Sequence, residues 1–304
     1  MRRNECQCSL TSICQVKFTA ILCVCLVLAG CLRLVAPHPA NLRGSDPRYP
    51  LTVPGGGYGQ SPYRTSQPLE TGVIASATGC ELRYRLYRPA QSGTADLVVL
   101  GHGFMRSQDR MVDLARALAD TGVATVTLDY CNSRLWDGRH FRNGLDMIRL
   151  ADALGAERVV YAGFSAGGLA ALVAGRNDPR TLGVVALDLV DADRLGERMA
   201  AGLDPPLIGL VGDPSPCNAD NNGLAVYSAT DRAMVERVEG AEHCDFESPS
   251  DWLCRLVCKR ETPPRRSPRR DIIEAATTAV TALMGAKSAL SAPDRRSAYA
   301  DSGA

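Results

Sequence analysis

The segment Gly163-Phe164-Ser165-Ala166-Gly167-Gly168 sets a hydroxyl between residues small enough for a tight turn. The apolar run Val159 to Ala162 precedes it and the Ala-rich stretch Leu169 to Ala174 follows. That order predicts strand, sharp turn and helix, with the Ser165 hydroxyl lifted above a sheet edge as a nucleophile. A serine hydroxyl attacks a carbonyl well only when a base takes its proton. His38, His102 and His140 all precede the serine; His243 alone follows it, in Glu239-Gly240-Ala241-Glu242-His243-Cys244-Asp245, just past the strand-like Met234 to Val238. His243 is therefore the expected base, working from a loop at a strand end. Two aspartates that close apolar runs are candidates for the acid that orients it. Asp188 is preferred and Asp213 is the alternative, because Pro214 and a Cys-Asn turn after Asp213 also suit a turn-former; Asp191 and Asp245 rank behind both.

Attack on a carbonyl also needs donors for the developing oxyanion. Leu97-Val98-Val99-Leu100-Gly101-His102-Gly103-Phe104 runs a strand into such a loop, and the expected donors are the backbone amides of Phe104 and Ala166. His102 fits this loop as a structural residue and has no role as base.

These groups require a scaffold that brings distant strand ends together. Leu97 to Leu100, Ala124 to Leu128, Arg158 to Tyr161, Val184 to Leu187 and Leu207 to Val211 are short apolar runs of the kind that form buried parallel strands. Glu81 to Tyr87 alternates Leu82, Tyr84 and Leu86 with charged neighbours, as a strand in an antiparallel pair does. Helical spacing is present over Ser107 to Ala119, Gly144 to Leu154 and Ile272 to Met284. Strands alternating with helices predict an α/β fold, a doubly wound and mostly parallel sheet. The 17 residues between Asp188 and Pro206 leave no room for a large cap, so the site should be open.

With the serine motif, the His-Gly loop and the downstream histidine in place, the chain from Val73 to Gly285 resembles an α/β-hydrolase. Within that superfamily it is similar to compact chlorophyllase-like and cutinase-like esterases, the relatives of platelet-activating-factor acetylhydrolases and bacterial polyester hydrolases. Ala186-Leu187-Asp188-Leu189-Val190-Asp191 is similar to the acid-bearing segment of chlorophyllase-like proteins, whereas polyester hydrolases use the position of Asp213. The resemblance implies a serine hydrolase that cleaves carboxylic esters through an acyl-enzyme, with neither cofactor nor metal. A peptidase or amidase would use the same apparatus, and a silent hydrolase-fold binding protein of the envelope would keep the fold without the reaction.

Net charge is +1, from 34 Lys and Arg against 33 Asp and Glu, so no overall field favours nucleic acid. The expected organisation is an export signal at 1–30, a Pro- and Gly-rich tether at 31–72, the catalytic domain at 73–285 and a polar disordered tail at 286–304. Arg2, Arg3 and Lys17 precede the apolar run Phe18 to Leu32, which at 15 residues is shorter than a membrane-spanning helix. Leu28-Ala29-Gly30-Cys31 resembles the lipobox of bacterial lipoproteins, which implies lipidation at Cys31 and an enzyme exported to the cell envelope, anchored to the membrane and facing the periplasm or cell surface. Six of the 12 cysteines follow Cys31: Cys80, Cys131, Cys217, Cys244, Cys254 and Cys258. An even set suits disulfides in an oxidising compartment. A bridge from Cys244 to Cys217, or to one of the pair Cys254 and Cys258, would brace the loop of His243.

Overall fold

The apolar runs marked as buried strands all lie in one eight-stranded sheet in the computed structural model, which describes residues 69–89, 95–131, 137–258 and 267–290. These residues belong to one compact unit, Ala40–Ala304. The strands are β1 (Leu69–Ala75), β2 (Glu81–Tyr87), β3 (Asp96–Gly101), β4 (Ala124–Asp129), β5 (Arg158–Phe164), β6 (Thr181–Leu187), β7 (Leu207–Val211) and β8 (Ala233–Arg237). Their order across the sheet is β1-β2-β4-β3-β5-β6-β7-β8. β2 runs antiparallel to β1 and β4, and every pairing from β4 through β8 is parallel.

Parallel strands need crossovers, which α1 (Val112–Asp120), α2 (His140–Ala153), α3 (Ala166–Asn177), α4 (Leu195–Ala200) and α5 (Leu224–Ser228) supply; α6 (Trp252–Val257) and α7 (Arg269–Leu290) follow β8. Alternation along the strands divides the core into two layers. Val98, Leu100, Val160, Ala162, Val185 and Leu187 pack with Leu114 and Leu118 of α1 and with Ile272, Ala279 and Val280 of α7. Leu97, Val99, Val159, Tyr161, Val184 and Ala186 face the other way, onto Met147 and Leu150 of α2 and Ala170, Leu172 and Ala174 of α3. The sheet is thus wound on both faces, as expected. Each fully buried Leu or Val contributes about 1.5–3 kcal/mol relative to an exposed one. α3 is buried from Gly167 through Gly175, which explains why its sequence is small and apolar on every side.

Several boundaries differ from those read in the sequence. β1 opens at Leu69, inside the expected tether; as an edge strand it buries little of itself, so its sequence lacks a clear alternation. Ser107 to Ala119 divides into a 3-10 turn, Gln108–Met111, followed by α1. α7 continues to Leu290, past the expected start of the tail at residue 286. Cys31, the expected export signal, the tether up to residue 68 and the tail beyond Leu290 lie outside the described residues.

Parallel strands all point one way, so their carboxyl ends share one edge of the sheet. Ser165 follows the last residue of β5, Asp188 that of β6, and His102 that of β3. His243 lies in the loop after β8.

Candidate active site

Ser165 adopts φ 55° and ψ −121°, a conformation that glycine takes readily and other residues rarely. The turn survives because its flanks have no side chains. A Cβ on Gly163 would overlap the Gly167 carbonyl, and one on Gly167 would come within 2.5 Å of His102 O and 2.6 Å of Gly101 O. The turn is also tied down by its own backbone. Ser165 N donates to Leu187 O at 2.8 Å, and Ser165 O accepts from Gly168 N at 2.9 Å as α3 begins.

His243 sits in a 3-10 turn, His243–Phe246, whose entry is held by reciprocal bonds between Glu242 and Asp245. Its Nε2 lies 3.1 Å from Ser165 Oγ and its Nδ1 lies 2.6 Å from Asp188 Oδ2. The carboxylate can only accept, so Nδ1 carries the proton and the Nε2 lone pair faces the serine hydroxyl. The Phe164 ring packs 4.6 Å from the imidazole centroid. Ser165 and His243 are each 7% exposed and Asp188 is 1% exposed, so water has little access to the line. In chemical terms it is a serine hydroxyl, a base of fixed tautomer and a buried charge behind the base.

The other aspartates are elsewhere. Asp213 has a half-exposed carboxylate 3.6 Å from Arg237 Nη1. Asp191 accepts from Gly196 N at 2.7 Å at the start of α4, and burial raises its pKa despite those amide bonds. Asp245 accepts from Glu242 N at 2.9 Å. Among the described residues, Asp188 is the carboxylate bonded to His243.

Ala166 opens α3, where the first amides of a helix have no partner inside it. Phe104 stands in the turn closed by Arg106 N donating to Gly103 O at 3.1 Å, with Met105 at φ 57°. Neither amide donates a hydrogen bond among the described residues. The loop also carries His102, whose Nδ1 donates to Gly103 O at 2.7 Å while Nε2 accepts from Tyr130 N at 3.3 Å. Burial lowers the His102 pKa, and both ring nitrogens are engaged in holding the loop.

No family model matches the sequence, and no curated protein shows significant similarity to it. Solved structures do match its fold. Est1E from Butyrivibrio proteoclasticus is 16% identical, with a TM-score of 0.53, and the alignment covers 71% of this chain and 99% of that one. Thermogutta terrifontis esterase 2, phosphoramylated by tabun, is 19% identical with a TM-score of 0.53, over 72% of this chain and 96% of that one. The Pyrobaculum calidifontis esterase is 17% identical with a TM-score of 0.50, over 72% and 87%. The chain has the α/β-hydrolase fold.

Several features around the site are only partly evident in the sequence. Among the described residues, three disulfides join Cys80 to Cys131, Cys217 to Cys258 and Cys244 to Cys254, the last being one of the braces expected for the His243 loop. Two of them end on α6 or its C-cap, and their other ends adjoin Asn218 and His243. The sulfurs of Cys244, Cys254 and Cys258 approach one another, but all are in bridges and none is a thiolate able to bind metal. A buried ion pair links the Phe104 loop to the His243 loop. Arg106 Nε donates to Glu247 Oε1, and Nη2 bonds Glu247 Oε2 at 2.9 Å and Asp251 Oδ1 at 2.8 Å. Burial works against the Arg106 charge, yet its bonds to Glu247 and Asp251 outweigh this and raise its pKa.

Glu247 is fully buried, with Arg106 as its ion-pair partner. Arg106→Met is expected to cost about 3–5 kcal/mol in urea unfolding, and adding Glu247→Leu to recover most of it, since Asp251, the other partner, is partly exposed and keeps Arg110 at 3.4 Å. Equal losses in the single and double variants would contradict this account.

Proposed function

We propose that the chain is a serine hydrolase of carboxylic esters that works through an acyl-enzyme. The observation that carries this reading is the line Ser165 Oγ, His243 Nε2, His243 Nδ1 and Asp188 Oδ2, with successive contacts of 3.1 and 2.6 Å. In the first step Ser165 Oγ attacks the ester carbonyl as His243 Nε2 takes its proton. Asp188 holds the ring in the tautomer that can accept, and its charge offsets the imidazolium. The carbonyl oxygen becomes an oxyanion and receives the amides of Phe104 and Ala166. His243 returns the proton to the leaving alcohol, then activates water to cleave the acyl-serine, which regenerates the hydroxyl.

The ester class is read from the open edge of the sheet. The segment from Asp188 to Pro206 holds only the short helix α4, consistent with the compact chlorophyllase-like and cutinase-like type. Phe104, partly exposed in the loop after β3, packs edge-on to His140 and offers an apolar surface to an acyl group, whereas Phe164 is buried against His243. Export, lipidation at Cys31 and an envelope location belong to the same proposal; three disulfides suit an oxidising compartment.

A fluorophosphonate probe and p-nitrophenyl esters of increasing acyl length test the reaction. Thermogutta terrifontis esterase 2 is phosphoramylated by tabun and phosphorylated by paraoxon, which makes an organophosphorus probe a direct choice. Labelling at Ser165 with ester turnover is expected. Faster turnover of peptide p-nitroanilides would make the chain a peptidase or amidase, and a folded chain that neither labels nor turns over would be a silent binding protein. Mass spectrometry of the mature N-terminus tests the anchor: diacylglycerol on Cys31 is expected, and an unmodified Met1 would refute it.

A further inference from the structure

Asp188 is held by a second set of donors besides the imidazole. Gly212 N donates to Oδ1 at 2.9 Å, and the Asn218 side-chain amide lies 3.2 Å from Oδ2, the oxygen that faces His243. Asn218 is fully buried and leaves no polar capacity unused. Its Nδ2 also donates to Asp213 O at 2.9 Å, while its Oδ1 accepts from Ser215 N at 2.8 Å and Asn221 N at 3.2 Å. Two donors and two accepted bonds fix the amide one way round. Flipped, it would set oxygen against the Asp188 carboxylate and the Asp213 carbonyl, and NH2 against two N–H groups.

We propose that Asn218 is a positioning residue, which fixes the Asp188 carboxylate toward His243 and limits how strongly that carboxylate favours the imidazolium. This rests on the reading of Ser165, His243 and Asp188 as nucleophile, base and orienting acid. The loop around Asn218 is built at a conformational cost: Ala219, Asp220 and Asn221 have φ of 48°, 53° and 60°, a left-handed region that disfavours side chains. Its tertiary ties offset that cost. Asn221 Nδ2 bonds Gly212 O at 3.0 Å, Arg237 Nη1 bonds the same oxygen at 2.8 Å, and the bridge from Cys217 to Cys258 anchors the neighbouring residue. These ties hold the loop, while the contacts to the carboxylate itself come from Gly212 N and Asn218 Nδ2.

An N–H aimed at Oδ2 draws electron density away from the bond to Nδ1. Without it, the carboxylate favours a protonated ring more strongly, and a protonated ring is no base. The test is Asn218→Ala in the full chain, assayed with a p-nitrophenyl ester from pH 5 to 9. Active sites are counted by fluorophosphonate labelling, so that unfolded protein is removed from the comparison. The expected kcat per labelled site is ~10-fold lower or less, the scale on which an outer hydrogen-bond partner of a functional histidine acts. KM is expected within about twofold, because Asn218 does not touch substrate, and the acid limb of kcat/KM is expected to move up by ~0.5–1 pH unit. Asn221→Ala is the structural control: it removes the bond to Gly212 O but keeps both Asn218 donors, so it lowers the melting temperature and leaves the acid limb in place.

Should Asn218→Ala fail to fold, Asn218→Ser keeps one small donor in the pocket and is expected to shift the limb in the same direction by less. Unchanged kcat and acid limb in the folded variant would overturn the inference, as would an equal limb shift in Asn221→Ala. A wild-type chain that neither labels nor turns over esters would instead overturn the proposed function.

Discussion

Ser165→Ala is expected to lower kcat for ester hydrolysis by ~10⁴–10⁶, the loss that follows removal of the nucleophile from a triad acting as a unit. KM should change little, because the residue is 7% exposed and the change deletes one oxygen without reshaping the site. Fluorophosphonate labelling should vanish with the activity. Stability separates this variant from a second one. Alanine keeps the cost of φ 55° and ψ −121°, whereas glycine adopts that conformation readily. Ser165→Gly should therefore be as inactive as Ser165→Ala yet on the order of 1 kcal/mol more stable in urea unfolding. More than a few per cent of wild-type turnover in either variant would remove Ser165 from the nucleophile's place. A glycine variant less stable than the alanine variant would contradict the account of the turn.

The parts of this site legible in the sequence are those imposed by local rules. A Ser with Gly two residues away on each side, after an apolar run and before an Ala-rich one, has few structural interpretations, and β5, the turn and α3 follow in that order. Buried strands such as β6 and β7 were legible because both faces must be apolar. β1 was not, since most of its length is exposed. α4, α5 and α6 span only six, five and six residues, too short for a helical period to repeat. α6 is harder still: Trp252, Leu253, Leu256 and Val257 are exposed, so its apolar residues do not mark a buried face.

Asn218 and the pair of Arg106 with Glu247 belong to a different class. Each joins segments far apart in the chain: Asn218 lies 30 residues from Asp188 and Arg106 lies 141 from Glu247. Nothing local distinguishes such an asparagine from any other turn-former. One signal existed, the Ser215-Pro216-Cys217-Asn218 spacing of a capping box, and it explains only the bonds that Asn218 makes within its own loop. The disulfide pairing had the same obstacle, since spacing alone cannot select among the pairings of six cysteines.

The hydrogen bond to His243 favours Asp188 over Asp213 as the acid of the proposed mechanism. Asp188 and Asp213 both end apolar strands, but β6 lies directly beside β5, while β7 is one strand further from the serine. Asp188 then turns at φ 45°, with its N–H donating to Leu210 O at 2.7 Å, and its carboxylate reaches Nδ1. Asp188→Asn is expected to lower kcat by ~10³–10⁴ at neutral pH while the fold is retained. An amide has one oxygen where the carboxylate has two. With that oxygen toward Gly212 N, the NH2 group faces His243 and drives the ring proton onto Nε2, where it blocks transfer from Ser165. With the oxygen toward His243, the NH2 group opposes the Gly212 N–H, and no charge remains to offset the imidazolium. Asp213→Asn should stay within about threefold of wild type, because its half-exposed carboxylate lies 3.6 Å from Arg237, an interaction of surface strength. Both variants are to be compared per labelled site, with circular dichroism to check folding. A larger loss at Asp213 than at Asp188 would reverse the assignment and with it the role given to Asn218.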